Sequence, residues 1–386
     1  MKTVGIICEY NPFHLGHRKQ FDLIRREFGP ETRIICLMSG NFVQRGAPAI
    51  FDKSFRARAA IDSGADLVLE LPVIYALSSA EGFAAGGVRI LSGLCDTLCF
   101  GTESGTRDTL LSTAAALLSP DFSEKLRVEL DKGLSFPAAR AAALGNDALL
   151  RNPNDILAVE YCKAILAQKS AMDIFPIHRE GSYHDDTPDP ENPSATSLRN
   201  RIADGKNWLS YIPASAHPAF ENASVHMLAS GERAILARLR TMADMEFEAL
   251  PYGSEGLWRK LMHACREEAT LEAVIAATKS KRYTRTRIDR MVMCAFLGIT
   301  RDIMAVEPPY TRVLGFSDHG KAILKAARES LPLPHTGDRV DDPYQALEQR
   351  CDDLYGLFAL VTAESAGAFS QRRVYIGKSP AGELFD

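Results

Sequence analysis

A stretch near the start of the chain, Gly5-Ile-Ile-Cys-Glu-Tyr-Asn-Pro-Phe-His-Leu-Gly-His17, forces the backbone to change form within a few positions. Thr3 to Cys8 is a short apolar and β-branched run suited to an interior strand. Tyr10-Asn11-Pro12-Phe13 ends it, because Pro12 has no N–H for a ladder and disfavours helix at Asn11. From about Gly16 the apolar period becomes helical, with Phe21, Ile24 and Phe28 near one face. A helix starting there turns unpaired N–H groups toward the strand's end, which makes a pocket for an anion. His14 and His17 straddle that start and add side-chain donors, while Gly16 leaves room for a close approach. Fixed donors of this kind suit a triphosphate, whose α-phosphate gathers negative charge on its oxygens in the transition state.

Further apolar runs at Arg33 to Met38, Asp66 to Leu71, Thr97 to Phe100 and Met172 to Pro176 alternate with helix-like segments. Such alternation predicts an α/β fold, a parallel sheet with helices on both faces. Ligands of these sheets bind beyond the carboxyl ends of the strands, where His14, Gly40-Asn41, Glu70 and Gly101-Thr-Glu-Ser104 are expected to converge. After Gly205 the pattern turns helical, over Ser230 to Met245, Ser254 to Lys279, Thr284 to Leu297 and Lys321 to Ser330. The 386 residues therefore divide into an α/β domain over residues 1–206 and a mainly helical domain over residues 207–386, joined near Lys206 to Pro213. Tyr355 to Tyr375 returns to apolar and β-capable residues.

The eight cysteines sit mostly in apolar periodic segments, as core residues do. Cys95 and Cys99, in an apparent strand, have no second pair to complete a zinc site, so no protein-held metal is expected. No run is long and apolar enough to span a bilayer, and Glu9 directly after the first apolar stretch argues against a signal peptide. A cytoplasmic protein without membrane contact is the expectation. With a net charge of -4, any nucleic-acid partner must be met by a local basic patch.

Lys279-Ser-Lys281-Arg282-Tyr283-Thr-Arg285-Thr-Arg287-Ile-Asp-Arg290 offers such a patch, with Tyr283 available for stacking. The alternative is a solvated helix face. Arg45, Lys53, Arg56 and Arg58 form a second basic cluster. A long polar loop, Gly181 to Ser197, carries Pro188, Pro190 and Pro193 and has the length of a lid. It ends in Ser194-Ala-Thr-Ser-Leu-Arg199, where an arginine near a helix N-terminus is placed for a ligand.

Taken whole, the opening stretch resembles the N-terminal signature of the bacterial tRNA(Met) cytidine acetate ligase family, within the HxGH nucleotidylyltransferase superfamily. The resemblance continues through Met38-Ser-Gly-Asn-Phe-Val-Gln-Arg-Gly46, Gly64-Ala-Asp-Leu-Val-Leu-Glu-Leu-Pro72, Phe100-Gly-Thr-Glu-Ser104, Asn152-Pro-Asn-Asp-Ile-Leu-Ala158, Tyr183-His-Asp185 and Ser194 to Arg199, and more weakly through the basic stretch and Arg312-Val-Leu-Gly-Phe316. It implies a Rossmann-like nucleotidylyltransferase domain that joins acetate to ATP as acetyl-adenylate, with Mg2+, and passes the acetyl group to the N4 amine of the wobble cytidine of elongator tRNA(Met). It also implies roles for residues. Ile7, Cys8, Glu9, Tyr10, Asn11, Pro12, Phe13, His14, Leu15, Gly16, His17, Arg18, Lys19 and Gln20 would wrap ATP, joined by Gly101, Asn154 and Arg179. His14, His17, Thr196 and Arg199 would act on the phosphates. The helical part would bind tRNA, with Lys279, Lys281, Arg282, Tyr283, Arg285 and Arg287 as candidates. The competing reading is an adenylyltransferase with a small phosphorylated acceptor, which explains the histidines equally well but needs no basic stretch.

Overall fold

The structure, a computed structural model, describes residues 2–145, 148–179, 188–190, 192–330, 343–361 and 375–377. Tyr183-His-Asp185 and much of the proline-bearing loop lie outside the described residues, as do residues 362–374 of the C-terminal β-capable stretch. Parallel strands β1 (Thr3–Cys8), β2 (Arg33–Ser39), β3 (Leu67–Leu71), β4 (Thr97–Thr102) and β5 (Asp173–His178) form the body of a seven-stranded sheet. Two strands from the end of the chain complete it. β6 (Val313–Phe316) runs antiparallel beside β3, and β7 (Tyr375–Ile376) pairs parallel with β6. The sheet order is β5-β4-β1-β2-β3-β6-β7, so the winding direction reverses between β1 and β4 and a crevice opens beyond their ends.

Both faces of the sheet are covered, which is why its strands read as unbroken apolar runs. Val4, Ile6, Ile34, Cys36, Met38 and Val68 pack against Phe21 and Ile24 of α1 (Leu15–Phe28) and Ala57 of α2 (Lys53–Asp62). Their neighbours Ile7, Ile35, Leu37, Leu67 and Leu69 meet Phe83 and Val88 of α3 (Ala80–Leu91) and Val159 and Cys162 of α4 (Pro153–Ala167). Each fully buried Val, Leu, Ile, Phe or Met side chain among them contributes about 1.5–3 kcal/mol of hydrophobic stabilisation.

After the nine-residue helix α5 (Ala195–Ala203) the chain is mostly helical. Helices α6 (Glu232–Thr241), α7 (Leu257–Glu267), α8 (Leu271–Thr278), α9 (Arg285–Leu297) and α10 (Pro343–Tyr355) surround a core that includes Ile235, Leu261, Val274, Met291 and Phe296. Phe42, Val73, Ile74 and Leu77 belong to the same core, so it is continuous with the α/β part. The single helix expected from Ser254 to Lys279 is two, because Glu268 leaves the helix in extended backbone and Thr270 caps α8, accepting from the Ala273 N–H at 3.2 Å. The sequence pattern hides this break, since Cys265, Leu271 and Val274 all face one core.

Two expectations about polar residues are corrected. Lys53 and Arg56 are buried, not part of a basic surface patch. Lys53 Nζ lies 2.5 Å from Glu70 Oε1 and 2.9 Å from Asp352 Oδ2 of α10. Arg56 donates to the carbonyls of Phe51, Glu9, Ser39 and Gly40, and so ties the ends of β1 and β2 to α2. Glu70 and Asn41 are likewise buried in this polar network, where Asn41 Nδ2 donates to Asp52 and Asp352 at 3.1 and 3.0 Å. They do not reach the ligand crevice because the Lys53 ammonium holds Glu70 and the Asp52 and Asp352 carboxylates hold Asn41.

Candidate active site

His14 is the N-cap of α1, in extended backbone, and its burial is nearly complete at 2% exposure. Its Nδ1 accepts from the Gly16 N–H at 3.1 Å, while His17 Nδ1 accepts from the His14 N–H at 3.2 Å, a capping box made of two imidazoles. The rings stack with centroids 3.7 Å apart. A Cβ on residue 16 would lie 3.0 Å from the His14 ring, so glycine at this position is what lets the ring lie flat against the first turn.

With both Nδ1 atoms accepting, the neutral rings carry their protons on Nε2 and act as donors there. Burial, followed by Arg179 and Arg199, pulls the His14 pKa down to about 3. Burial, His14 and Arg179 hold His17 well below its ordinary value too. Unfolded histidines bind protons near pH 6.5 and these two do not, so stability they favour is complete above that pH and is lost as pH falls toward about 3. Urea unfolding at stepwise lower pH should show this loss below pH 6.5, reduced in a His14→Asn variant.

Arg199 and Thr196 come from the first turns of α5, whose N-cap Ser194 accepts from the Ser197 N–H at 3.1 Å. Arg199 donates to the Asn11 carbonyl at 2.8 Å and to Thr196 Oγ1 at 3.0 Å, which fixes the guanidinium over the end of β1. The Gly101-to-Gly105 turn after β4 is held by a reciprocal exchange absent from the sequence reading. Asp155 accepts from Thr102 Oγ1, from the Glu103 N–H at 2.8 Å and from Ser104 Oγ at 2.7 Å, while Glu103 accepts from the Asp155 N–H at 2.8 Å at the start of α4. Burial raises the Asp155 pKa, but these hydrogen bonds outweigh it and bring it to about 2. The signal was available in Asn152-Pro-Asn-Asp155, which reads as a helix start with an acid in its first turn.

Three cavities meet at His17 and Arg179. The first, about 110 Å³, lies between Lys19, Gln20 and Leu23 of α1 and Gly101, Ile177 and Arg179 at the ends of β4 and β5. The second, about 400 Å³, holds His14, Arg45, Thr196 and Arg199. The third, about 280 Å³, runs from Ile7 to Asn11 past Gly101 and Asn154 toward Phe83, Phe100, Leu157 and Tyr161. Of the residues expected around ATP, Ile7 to Asn11, His14, Gly16, His17, Lys19, Gln20, Gly101, Asn154 and Arg179 line these cavities. Pro12, Phe13, Leu15 and Arg18 do not: Phe13 is a core residue against Tyr10 and Phe21, and Arg18 pairs with Asp22 at 3.0 Å.

The basic stretch precedes and opens α9. It is partly matched by acids of its own: Arg282 and Tyr283 bond Glu255 at 3.0 and 2.7 Å, and Arg285 bonds both oxygens of Glu272 at 2.6 and 2.5 Å. Arg287 donates to the Tyr252 carbonyl and stacks on the Tyr283 ring. Lys279 and Lys281 are exposed. The stretch adjoins the site through Gly46, whose φ is +71° and whose Cβ would lie 2.5 Å from the Arg290 backbone nitrogen. The turn bearing Arg45 thus packs directly on α9. Among the described residues, no helix is long and apolar enough to cross a membrane.

A nucleotide-binding crevice with paired histidines at a helix start defines an α/β nucleotidyl transferase. In agreement, residues 1–367 match the family model for HIGH Nucleotidyl Transferase. The tRNA(Met) cytidine acetate ligase of Clostridium novyi (strain NT) is 38% identical over 358 residues, 86% of this chain and 89% of that protein. The crystal structure of Thermotoga maritima TmcAL without ligand superposes with a TM-score of 0.89 at 29% identity, covering 98% of this chain and 100% of that one. The same protein bound with alpha-thio ATP gives a TM-score of 0.86 at 29% identity, with the same coverage of both chains. The chain belongs to the tRNA(Met) cytidine acetate ligase family of HIGH nucleotidyl transferases.

Proposed function

We propose that this protein is an ATP-dependent acetate ligase that acetylates the N4 amine of the wobble cytidine of elongator tRNA(Met). What carries the reading is the meeting of three unlike cavities at His17 and Arg179. The second is the most cationic, with Arg45 and Arg199 beside two helix N-termini, and suits the distal phosphates. The first, between α1 and Gly101, suits the nucleoside.

An acetate oxygen attacks the α-phosphorus, a new P–O bond forms, and the bond to the bridging oxygen breaks to release pyrophosphate. Acetate is already an anion, so this step needs alignment and charge stabilisation more than a base. The neutral Nε2–H donors of His14 and His17 and the Arg199 guanidinium supply it. The N4 amine of the cytidine then attacks the acyl carbon, the bond to the adenylate oxygen breaks, AMP leaves, and the amine releases a proton. Mg2+ would shield the triphosphate. Mg2+ is commonly held through the phosphate oxygens of its nucleotide and by water, with few protein ligands, and would act here in that way.

Lys279, Lys281, Arg282, Tyr283, Arg285 and Arg287 are proposed to meet tRNA, supported by their continuity with the Arg45 turn. The test of the first half-reaction is isotope exchange between pyrophosphate and ATP. Exchange that requires acetate is expected; exchange that ignores acetate and answers to a phosphorylated acceptor would overturn the reading in favour of an adenylyltransferase.

A further inference from the structure

The third cavity has walls unlike the other two. Beyond the backbone of Ile7 to Asn11 it is lined by Ala80, Phe83, Phe100, Leu157 and the ring of Tyr161. Phe83 and Phe100 are buried, and the Phe100 and Tyr161 rings pack with centroids 5.3 Å apart, so this wall is rigid. Arg45 and Arg179 line the same cavity where it joins the second, along with Glu9, whose carboxylate accepts from the Gln44 N–H at 2.9 Å. A small anion with an apolar tail matches this layout: cations for a carboxylate and hydrocarbon beyond it.

Direction supplies the second argument. Displacement at phosphorus needs the attacking and leaving oxygens in line. With the distal phosphates toward Arg199 in the second cavity, the attacking acid must come from another side of the α-phosphate. The third cavity shares His17, Arg179, Glu9, Asn11 and Arg45 with the second, and so opens on the same point. We infer that the pocket formed by Ala80, Phe83, Phe100, Leu157 and Tyr161 receives the acyl group, and that this wall sets which short carboxylic acid is activated. The inference rests on the ligase reading above.

The experiment is acid-dependent pyrophosphate exchange with acetate, propionate and butyrate, for the unmodified protein and for Leu157→Ala and Ala80→Leu. One methylene in an apolar pocket changes selectivity by roughly 10–200-fold. Leu157→Ala is expected to raise the propionate-to-acetate ratio of kcat/KM about tenfold or more. Ala80→Leu, at the start of α3, adds bulk to the same apolar wall and is expected to raise the KM for acetate while the KM for ATP stays within about twofold. Acetate-dependent exchange absent from the unmodified protein would overturn the ligase reading and this inference with it. Intact acetate exchange, with the acid preference unchanged in Leu157→Ala and the acetate KM unchanged in Ala80→Leu, would overturn the acyl pocket alone.

Discussion

His14→Ala is expected to lower acetate-dependent pyrophosphate exchange by about 10²–10³-fold, the cost of removing one preorganised donor from a developing phosphate charge. The same change removes an N-cap acceptor and should cost about 1 kcal/mol of stability. The two effects separate cleanly. Asparagine also caps helices well but lacks an Nε2–H at the same reach, so His14→Asn should recover stability and leave the rate low. Because the imidazole is neutral down to about pH 3, wild-type exchange should show no fall between pH 8 and pH 6 from this group. An activity that tracks a pKa near 6.5 and vanishes with His14 would mean that a cationic histidine is the working form.

Lys53→Met is the change with the largest expected effect on stability, about 3–5 kcal/mol, because it leaves buried carboxylates without their cation. Glu70 and Asp352 both contact the Lys53 ammonium, and Glu348 lies in the same network, accepting from the Val73 N–H at 2.9 Å. Burial and then Glu70 already push the Glu348 pKa up to about 7. Removing Lys53 should raise it further and loosen α10 from the sheet side. Chemical unfolding should show the loss, and combining Lys53→Met with Glu70→Leu and Asp352→Val should restore much of it, since apolar residues of similar volume replace buried ion pairs well. A single variant as stable as the parent would mean that water reaches this cluster.

Strand and helix positions around the crevice were legible because a doubly covered parallel sheet writes itself as short apolar runs. β1, β2, β3, β4 and β5 fall where those runs predict, within a few residues at their ends. β6 was not read, since Val313–Phe316 is a four-residue strand amid helical pattern and its partner is β3, far away in sequence. The histidine pair was legible because its local backbone and its chemistry point the same way. Lys53, Arg56, Asn41 and Glu70 were misread because a charged or amide residue in a sequence looks the same on a surface as in a buried network; only their partners, such as Asp352 for Lys53 and Asn41, distinguish the two. Glu103 was expected at the ligand crevice and its exchange with Asp155 went unread for a related reason, since each acts through the backbone of the other's turn.

The central claim is best tested by mass spectrometry of nucleosides from unmodified elongator tRNA(Met) incubated with the protein, ATP, Mg2+ and acetate, beside the His14→Ala variant. N4-acetylcytidine formed at the wobble position by the parent, and reduced at least a hundredfold in the variant, is the predicted result. ATP consumed in the presence of acetate with no acetylcytidine formed would contradict it.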